Sequence, residues 1–322
     1  MMRVRDLTCL IAGLVFSTAA SAASQYPDKP IRWVVPSSPG DGSDVTARLI
    51  AQKVSVELGQ SIVIENRPGA GGILGSQFVA QSAPDGYTMV VGNAGSHEIN
   101  AAIYHNLHYR VVEDFAPVAL FCTAPNVMVV SPEVKAKDVP AFVALAKSEP
   151  GKLNYASGGV GSSAHMSAEL FKSITGTDMR HIPFKGSTPA ISALVANQVQ
   201  VMIGNLPPWM ELIKAGKVRA LAVTSSERVS ALPDVPAMAE YYPGFQTEAW
   251  FGLLAPIGTP KAIVDQVNAA VNHALAQNDV KALLGNLSCA PAGTTPAAFS
   301  NRIVSNVARW KELAEKNGIK AD

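Results

Sequence analysis

Two distant segments of this chain repeat one order of signals: an apolar run, a glycine-rich turn and a helical pattern. The first is "VVPSSPGDGSDVTAR" at 34–48, and the second is "LNYASGGVGSSAHMSAELF" at 153–171. Such a unit places free backbone N–H groups and the positive end of a helix dipole at the carboxyl end of a strand. Ligands of open α/β sheets bind outside that edge. Two facing units therefore predict an anion site, although glycine is also needed in ordinary tight turns between packed elements.

The remaining chain alternates strand and helix signals, which favours an α/β fold with largely parallel sheets. We predict strands over 31–35, 62–65, 89–92, 153–156, 199–203 and 251–255, and helices over 44–57, 77–81, 139–148, 260–277 and 299–316. Ser43 and Ser162 are predicted to be helix N-caps.

One long apolar run, 115–131, has a proline at position 125. We predict a strand, broken at Pro125, that crosses from one domain into another, and we predict that 218–224 forms the return. The predicted organisation is two α/β domains with a central cleft and two crossing strands. Domain I comprises 23–121 and 225–322, and domain II comprises 122–224.

The N-terminus has the three parts of a signal peptide. Arg3 and Arg5 precede an apolar stretch at 7–16, and Ala20-Ser21-Ala22 has the small-x-small form of a cleavage site. We expect cleavage near Ala22 and release into the periplasm; a membrane anchor is the alternative. The remaining chain would carry equal numbers of acidic and basic side chains, which argues against a nucleic-acid partner. A monomer is expected.

Cys122 and Cys289 would remain after cleavage. An exported chain can join two cysteines, but a chain of this length does not need the cross-link, so free thiols are favoured. No metal-ligand spacing is present, and no nucleotide motif is complete. Gly40-Asp41-Gly42 is followed by Val45 where a third glycine is required, and "GGVGSS" lacks a lysine. No cofactor or metal is predicted.

Catalytic groupings are weak. The chain has no G-x-S-x-G motif. Ser163 and His165 are two residues apart along one helix and cannot form a nucleophile–base pair, because such neighbours point to different faces. His97 and Glu98 are adjacent, and adjacency alone is weak evidence for an acid–base pair. A hydrolase would need a positioned nucleophile and base, so a binding protein is favoured over an enzyme.

Several motifs resemble those of a known family. They are "YPDKPIRWVVP" at 26–36, "VIENRPGAGGILGS" at 63–76, "APDGYTM" at 83–89 and "HIPFKGSTPAISALVANQVQVMIG" at 181–204. The chain is similar to the periplasmic solute-binding receptors of the tripartite tricarboxylate transporter family, the Bug proteins. The resemblance implies a type II periplasmic binding protein that closes like a flytrap on a small carboxylate. It also implies delivery to integral-membrane transporter subunits; a sensor subunit that signals to a kinase is the alternative.

The resemblance also implies which residues bind the ligand. The first turn would contribute Ser37, Ser38, Pro39, Gly40, Asp41 and Asp44; the second would contribute Ser157, Gly161, Ser162 and His165; the walls would include Asn93, Ser96, Lys185, Gly186 and Asn205.

The chain departs from the family pattern in the first turn and at Gln200, where the family often has aspartate. The family usually has an aromatic residue where Ser37 stands, and that ring covers the ligand. Its loss predicts a roomier and more polar pocket. Asp41 adds an acid near the mouth, which would either favour a ligand with an amine or, as we expect, face solvent.

Overall fold

A computed structural model describes residues 26–321, and the predicted signal peptide at 1–22 lies outside them. The strands are β1 (Ile31–Val35), β2 (Ile62–Asn66), β3 (Thr88–Asn93), β4 (Phe115–Val130), β5 (Asn154–Ser157), β6 (Arg180–Pro183), β7 (Val201–Asn205), β8 (Arg219–Val223), β9 (Glu248–Pro256) and β10 (Ala290–Pro291). The α-helices are α1 (Gly42–Leu58), α2 (Ile73–Ala80), α3 (Asn100–Ile103), α4 (Val139–Ser148), α5 (Ser163–Thr175), α6 (Ser187–Val195), α7 (Met210–Lys214), α8 (Lys261–Ala276), α9 (Asn278–Asn286) and α10 (Pro296–Asn317). Among these helices, none is both long and apolar enough to cross a bilayer.

The strands form one hydrogen-bonded path in the order β2-β1-β3-β9-β4-β7-β5-β6. The two ends of the path are parallel, because β1 pairs in parallel with β2 and β3, and β5 with β6 and β7. The middle is antiparallel, since β9 runs against both β3 and β4. The predicted α/β class is confirmed, with a sheet that is mixed rather than largely parallel.

Strand β4 joins the two ends of the path. Its first part pairs with β9, from Phe115 opposite Pro256 to Pro125 opposite Glu248. Its last five residues pair with β7, starting at Asn126. The predicted break at Pro125 is wrong, because the strand is continuous there. The proline, which has no N–H to donate, lies where β4 changes partners.

The predicted return over 218–224 is also wrong. Strand β8 lies beside the second part of β4, with Val223 opposite Val127. The chain after β8 stays on this side, where Leu232 and Ala237 share a core cluster with Val127. It re-enters the first sheet only at β9. The division into two domains remains a prediction, and we propose that its second boundary lies near 247 instead of 225.

A buried polar network holds the chain where it crosses. The Asn126 backbone N–H donates to Thr224 Oγ1 at 2.9 Å, and the Thr247 N–H donates to the Thr224 carbonyl at 3.1 Å. Ser167 Oγ accepts from Asn126 Nδ2 and donates to Thr247 Oγ1, at 2.9 and 2.8 Å. All four residues are buried. Their mutual hydrogen bonds offset the cost of burying polar groups.

The strands form two regions that share β4: the first contains β1, β2, β3 and β9, and the second contains β5, β6, β7 and β8. Helices cover both faces of each region. On one face of the first region, Trp33 packs with residues of α1 and α8 such as Ile50 and Val267. On the other face, Val34 and Trp250 pack with Phe299 of α10. Each region therefore has the helix–sheet–helix layering expected of an α/β fold.

Cys122 and Cys289 form a disulfide with a Cα–Cα distance of 5.5 Å, so the preference for free thiols is wrong. Both side chains are buried. The short strand β10 pairs antiparallel with β4 and places Pro291 opposite Cys122. This pairing joins residues 167 positions apart, which the spacing in the sequence does not indicate.

We expect the double variant Cys122→Ala/Cys289→Ala to lose about 2–5 kcal/mol of unfolding free energy, because the cross-link restricts the unfolded chain. Urea denaturation of the two proteins measures the difference. Wild-type protein in reductant without urea should keep its cross-link, since both sulfurs are buried. Coincident denaturation midpoints for variant and wild type would contradict the prediction.

Candidate functional site

The first turn ends at a helix N-terminus that no side chain caps. Helix α1 begins at Gly42, with Asp41 as the N-cap residue and no side-chain cap hydrogen bond. Within residues 26–321, no acceptor is assigned to the backbone N–H groups of Gly42, Ser43 and Asp44. The predicted N-cap role of Ser43 is wrong, because its hydroxyl lies inside the first helical turn, 2.6 Å from Ser37 Oγ. The turn therefore presents free N–H donors at the positive end of a helix.

Asp44 organises this turn from beneath. Its carboxylate accepts from the Gly40 N–H at 2.9 Å, from Asn66 Nδ2 at 2.9 Å and from Arg48 Nε at 3.1 Å. Burial alone would raise the pKa of Asp44, but the hydrogen bonds from Arg48, Gly40 and Asn66 hold that pKa below its usual value. The acid is ionised at neutral pH and bound by groups of the chain itself.

The other predicted residues of the first turn form its outer rim. Ser38, Pro39, Gly40 and Asp41 are exposed, while Ser37 is half-buried. Gly40 has a φ of 81°, the left-handed region that favours glycine. One neighbour was missed from the sequence: the Phe251 ring lies so close that a Cβ on Gly42 would be 2.8 Å from its Cζ. An aromatic ring thus lies at this turn, although position 37 has none.

The second turn is capped at its helix. Ser162 Oγ accepts from the His165 N–H at 3.3 Å and donates to the Gly159 carbonyl at 2.8 Å, which confirms Ser162 as an N-cap. Ser157 is buried below the turn, and its hydroxyl accepts from the Gly159 N–H at 3.1 Å. The turn is thus shaped by its own serines, while the first N–H groups of α5, those of Ser163 and Ala164, have no acceptor assigned in the described chain.

Two stacked histidines support the second turn. The rings of His165 and His181 lie 4.2 Å apart, and Tyr155 stacks on His181 at 4.7 Å. The Gly161 N–H donates to His165 Nδ1 at 3.3 Å, and Ser157 Oγ lies 2.7 Å from His181 Nε2. Burial lowers the pKa of His165 to about 4 and that of His181 to about 3. Both rings are neutral at pH 7, and His165 bonds a backbone N–H instead of activating a serine.

Two of the predicted wall residues contact the second turn, and two others shape the loop after β3. Ser96 N–H donates to Asn93 Oδ1 at 3.0 Å, which folds the chain tightly after β3. The Gly186 N–H donates to the Gly158 carbonyl at 3.1 Å, and Asn205 Oδ1 accepts from Ser163 Oγ at 3.2 Å. Lys185 is exposed.

The two sides of the site touch at glycines. A Cβ on Gly95 would lie 3.2 Å from the Gly161 carbonyl oxygen, and one on Gly71 would lie 3.6 Å from the Val160 carbonyl oxygen. A Cβ on Gly72 would lie 3.1 Å from Ser96 Cβ. The structure therefore brings the loop after β3 against the second turn. The "GAGG" segment at 69–72 is a further neighbour, whose glycine content was the only signal in the sequence.

His97 and Glu98 do not form an acid–base pair. His97 Nδ1 lies 2.8 Å from Ser96 Oγ, and burial lowers the pKa of His97 to about 3. The Glu98 carboxylate instead accepts from Trp250 Nε1 at 2.7 Å and from Asn306 Nδ2 at 2.9 Å. Burial raises the pKa of Glu98 to about 7, against these hydrogen bonds.

A family model described as "Tripartite tricarboxylate transporter family receptor" matches residues 46–319. The chain belongs to this receptor family. The match covers the loop after β3 and the second turn with its helix, but it begins at residue 46. The first turn and the N-terminus of α1 therefore lie outside it.

Solved structures of family proteins are similar over nearly the whole chain. The periplasmic binding protein BugD has 31% identity and a TM-score of 0.84, covering 92% of this chain and 100% of its own. Rpa4515 of R. palustris, solved with adipate, has 35% identity and a TM-score of 0.86, with coverage of 92% and 99%. MatC of Rhodopseudomonas palustris, with bound malate, has 38% identity and a TM-score of 0.83, with coverage of 89% and 99%. The receptor has the periplasmic-binding-protein fold that the resemblance implied.

We expect Asp44→Asn to destabilise the receptor by about 1–3 kcal/mol, because a buried carboxylate that accepts several hydrogen bonds loses its charge. Thermal unfolding without ligand measures the effect. Asp41→Asn is the matched control: it makes the same change three residues away at an exposed position, and it should unfold like wild type. Equal losses in the two variants would show that Asp44 does not organise the turn.

We expect His181→Gln to flatten the acid dependence of stability. Between about pH 6.5 and 4, unfolded histidine binds a proton that the buried ring refuses, so the unfolding free energy falls as the pH falls. Removing one such group should reduce that slope by up to about 1.4 kcal/mol per pH unit. Glu98 acts in the opposite direction below pH 7, but it does so in both proteins and cancels in the comparison. Parallel curves of unfolding free energy against pH would refute the prediction.

Proposed function

We propose that this receptor acts in the periplasm, binds a small organic carboxylate between its two turns, and delivers it to the membrane subunits of a tripartite tricarboxylate-type transporter. The observation that carries the proposal is the uncapped N-terminus of α1, which has three N–H groups with no assigned acceptor. An anion satisfies such donors and is stabilised by the helix dipole.

The charges around the turns favour a ligand held by backbone groups. The guanidinium of Arg48, one turn further along α1, is bound to the buried Asp44. The two histidines below the second turn are neutral at pH 7. A carboxylate oxygen can accept from several N–H groups at once. The free backbone N–H groups of α1 and α5 would therefore bind the carboxylate without an arginine side chain.

The ligands of the similar proteins support the class. Adipate and malate, named with Rpa4515 and MatC, are both small dicarboxylates. Ser37 Oγ is turned toward Ser43 Oγ and leaves more room than an aromatic ring would. We therefore infer a dicarboxylate or larger organic acid as the ligand of this receptor.

Closure of two domains is the proposed mechanism. A ligand that touches both turns favours the closed state through contacts that exist only there. Gly95 lies close to the backbone of Gly161. These glycines support a closed arrangement, because they have no side chains to keep the two parts of the chain apart. The division near 126 and 247 makes the buried polar network the proposed hinge.

A thermal-shift screen of residues 23–322 against dicarboxylates, citrate, acidic amino acids and aromatic acids tests the ligand class. A ligand bound only by the folded state adds about 2.7 kcal/mol at a hundred times its dissociation constant. Sugars and nucleotides serve as controls. Stabilisation by a control compound, with none by any acid, would overturn the proposal.

The binding mode is tested by Ser43→Pro against Ser43→Ala, with the best acid from the screen. Both variants lose the hydroxyl, but only proline removes the N–H, and the first turn of a helix tolerates proline. One hydrogen bond to a charged group is worth about 1.5–3 kcal/mol, so proline should weaken binding at least tenfold more than alanine. Equal dissociation constants, measured by calorimetry, would mean that the carboxylate does not contact α1.

A further inference from the structure

A cavity lies away from the two turns, between α10 and residues 246–248, where the chain enters β9. Its volume is about 560 Å³, and its lining includes Glu98, Gln246, Glu248, Asn301, Arg302 and Arg309. This volume is within the range of ordinary small-molecule sites. The predicted carboxylate site does not include any of these side chains, so the cavity requires its own explanation.

Helix α10 builds one wall of this cavity with its polar face. Phe299, Ile303 and Val307 are buried in the core on the other face. Arg302 and Arg309 lie seven residues apart, two helical turns, and therefore project from one side of the helix. The amphipathic pattern thus places two guanidinium groups in one cavity.

The acid groups of the cavity already have partners. Glu98 accepts from Trp250 Nε1, Asn306 Nδ2 and, at 3.4 Å, Trp310 Nε1. Glu248 Oε2 accepts from Arg302 Nη2 at 3.1 Å, and its Oε1 accepts from Gln246 Nε2 at 3.2 Å. Every carboxylate oxygen in the lining is therefore bound by a donor of the chain.

The guanidinium groups, in contrast, keep unused donors. Arg302 Nε is buried and has no hydrogen-bond partner in the described part of the chain. Arg309 is held by a hydrogen bond from Nη2 to the Gln246 carbonyl. An arginine has five N–H donors, and a buried donor without a partner costs free energy. None of the described residues accepts from Arg302 Nε, and an anion or a carbonyl-rich molecule in the cavity would supply that acceptor.

We propose that this cavity is a second binding site, which takes a small oxyanion between Arg302 and Arg309. Planar guanidinium groups bind carboxylate, phosphate and sulfate oxygens in pairs. The site is chemically unlike the first, which offers backbone N–H groups and no free guanidinium. It therefore does not depend on the proposed transport function.

The position of the cavity gives the anion a structural effect. Gln246 and Thr247 lie where the chain passes from the second sheet region into β9. Thr247 is hydrogen-bonded there to Thr224, which follows β8. Arg302 and Arg309 belong to a helix packed on the first region. An anion held by both arginines would strengthen the join between α10 and residues 246–247, and it should stabilise the folded receptor.

Sulfate and inorganic phosphate are the probes. Calorimetric titration at constant ionic strength, balanced with chloride, should show saturable binding in wild type. The variant Arg302→Lys/Arg309→Gln keeps a cation beside Glu248 but removes the two forks, and it should bind sulfate at least tenfold more weakly. Lys311→Gln removes the same net charge from an exposed position of α10 and should bind like wild type.

Two further variants separate the possible outcomes. Arg309→Gln alone changes an exposed side chain and tests the site if the double variant folds poorly. Ser43→Pro should keep its sulfate affinity, since it alters only the first turn. Sulfate binding that is lost in Ser43→Pro and kept in the arginine variants would place the anion at the first turn and overturn the second site. The absence of saturable binding in wild type would overturn it as well.

Discussion

The structure depends on a single uninterrupted strand, β4. It pairs with β9 in one sheet region and with β7 in the other, and it changes partner between Pro125 and Asn126. Beside that point, Asn126, Thr224 and Thr247 bond to one another out of contact with water. Because strands of both regions are aligned on one backbone, the loop that follows β3 lies against the turn that follows β5.

The site contains few free charges. Asp44 is bound to Arg48, and the paired histidines are kept neutral by burial. What remains is a set of backbone dipoles fixed by the turns. Fixed dipoles need little reorganisation when an anion arrives, and their recognition depends on the shape of the backbone rather than on particular side chains.

The local parts of this structure could be predicted from sequence, and the non-local parts could not. Glycine turns, strands such as β1 and the Ser162 cap follow from residues close in the chain. The cross-link between Cys122 and Cys289 depends on β10 reaching β4, and the return crossing depends on 225–247 packing beside β8. Neither pairing leaves a local pattern. The Ser43 cap failed for a local reason: α1 begins at Gly42, so Ser43 lies inside its first turn and Asp41 is the N-cap residue. The roles of the individual binding residues stay predictions.

The strand order also determines when each part of the chain can fold. Strand β9 lies between β3 and β4, yet it comes from 248–256, after the whole second region. The second region is nearly continuous in sequence, from β4 to 247, and can form as soon as that stretch is available. The first region has to wait with β3 unpaired on one side until the last quarter of the chain arrives. Contacts between distant residues form slowly, so the insertion of the second region between β3 and β9 makes the first region the later one to complete.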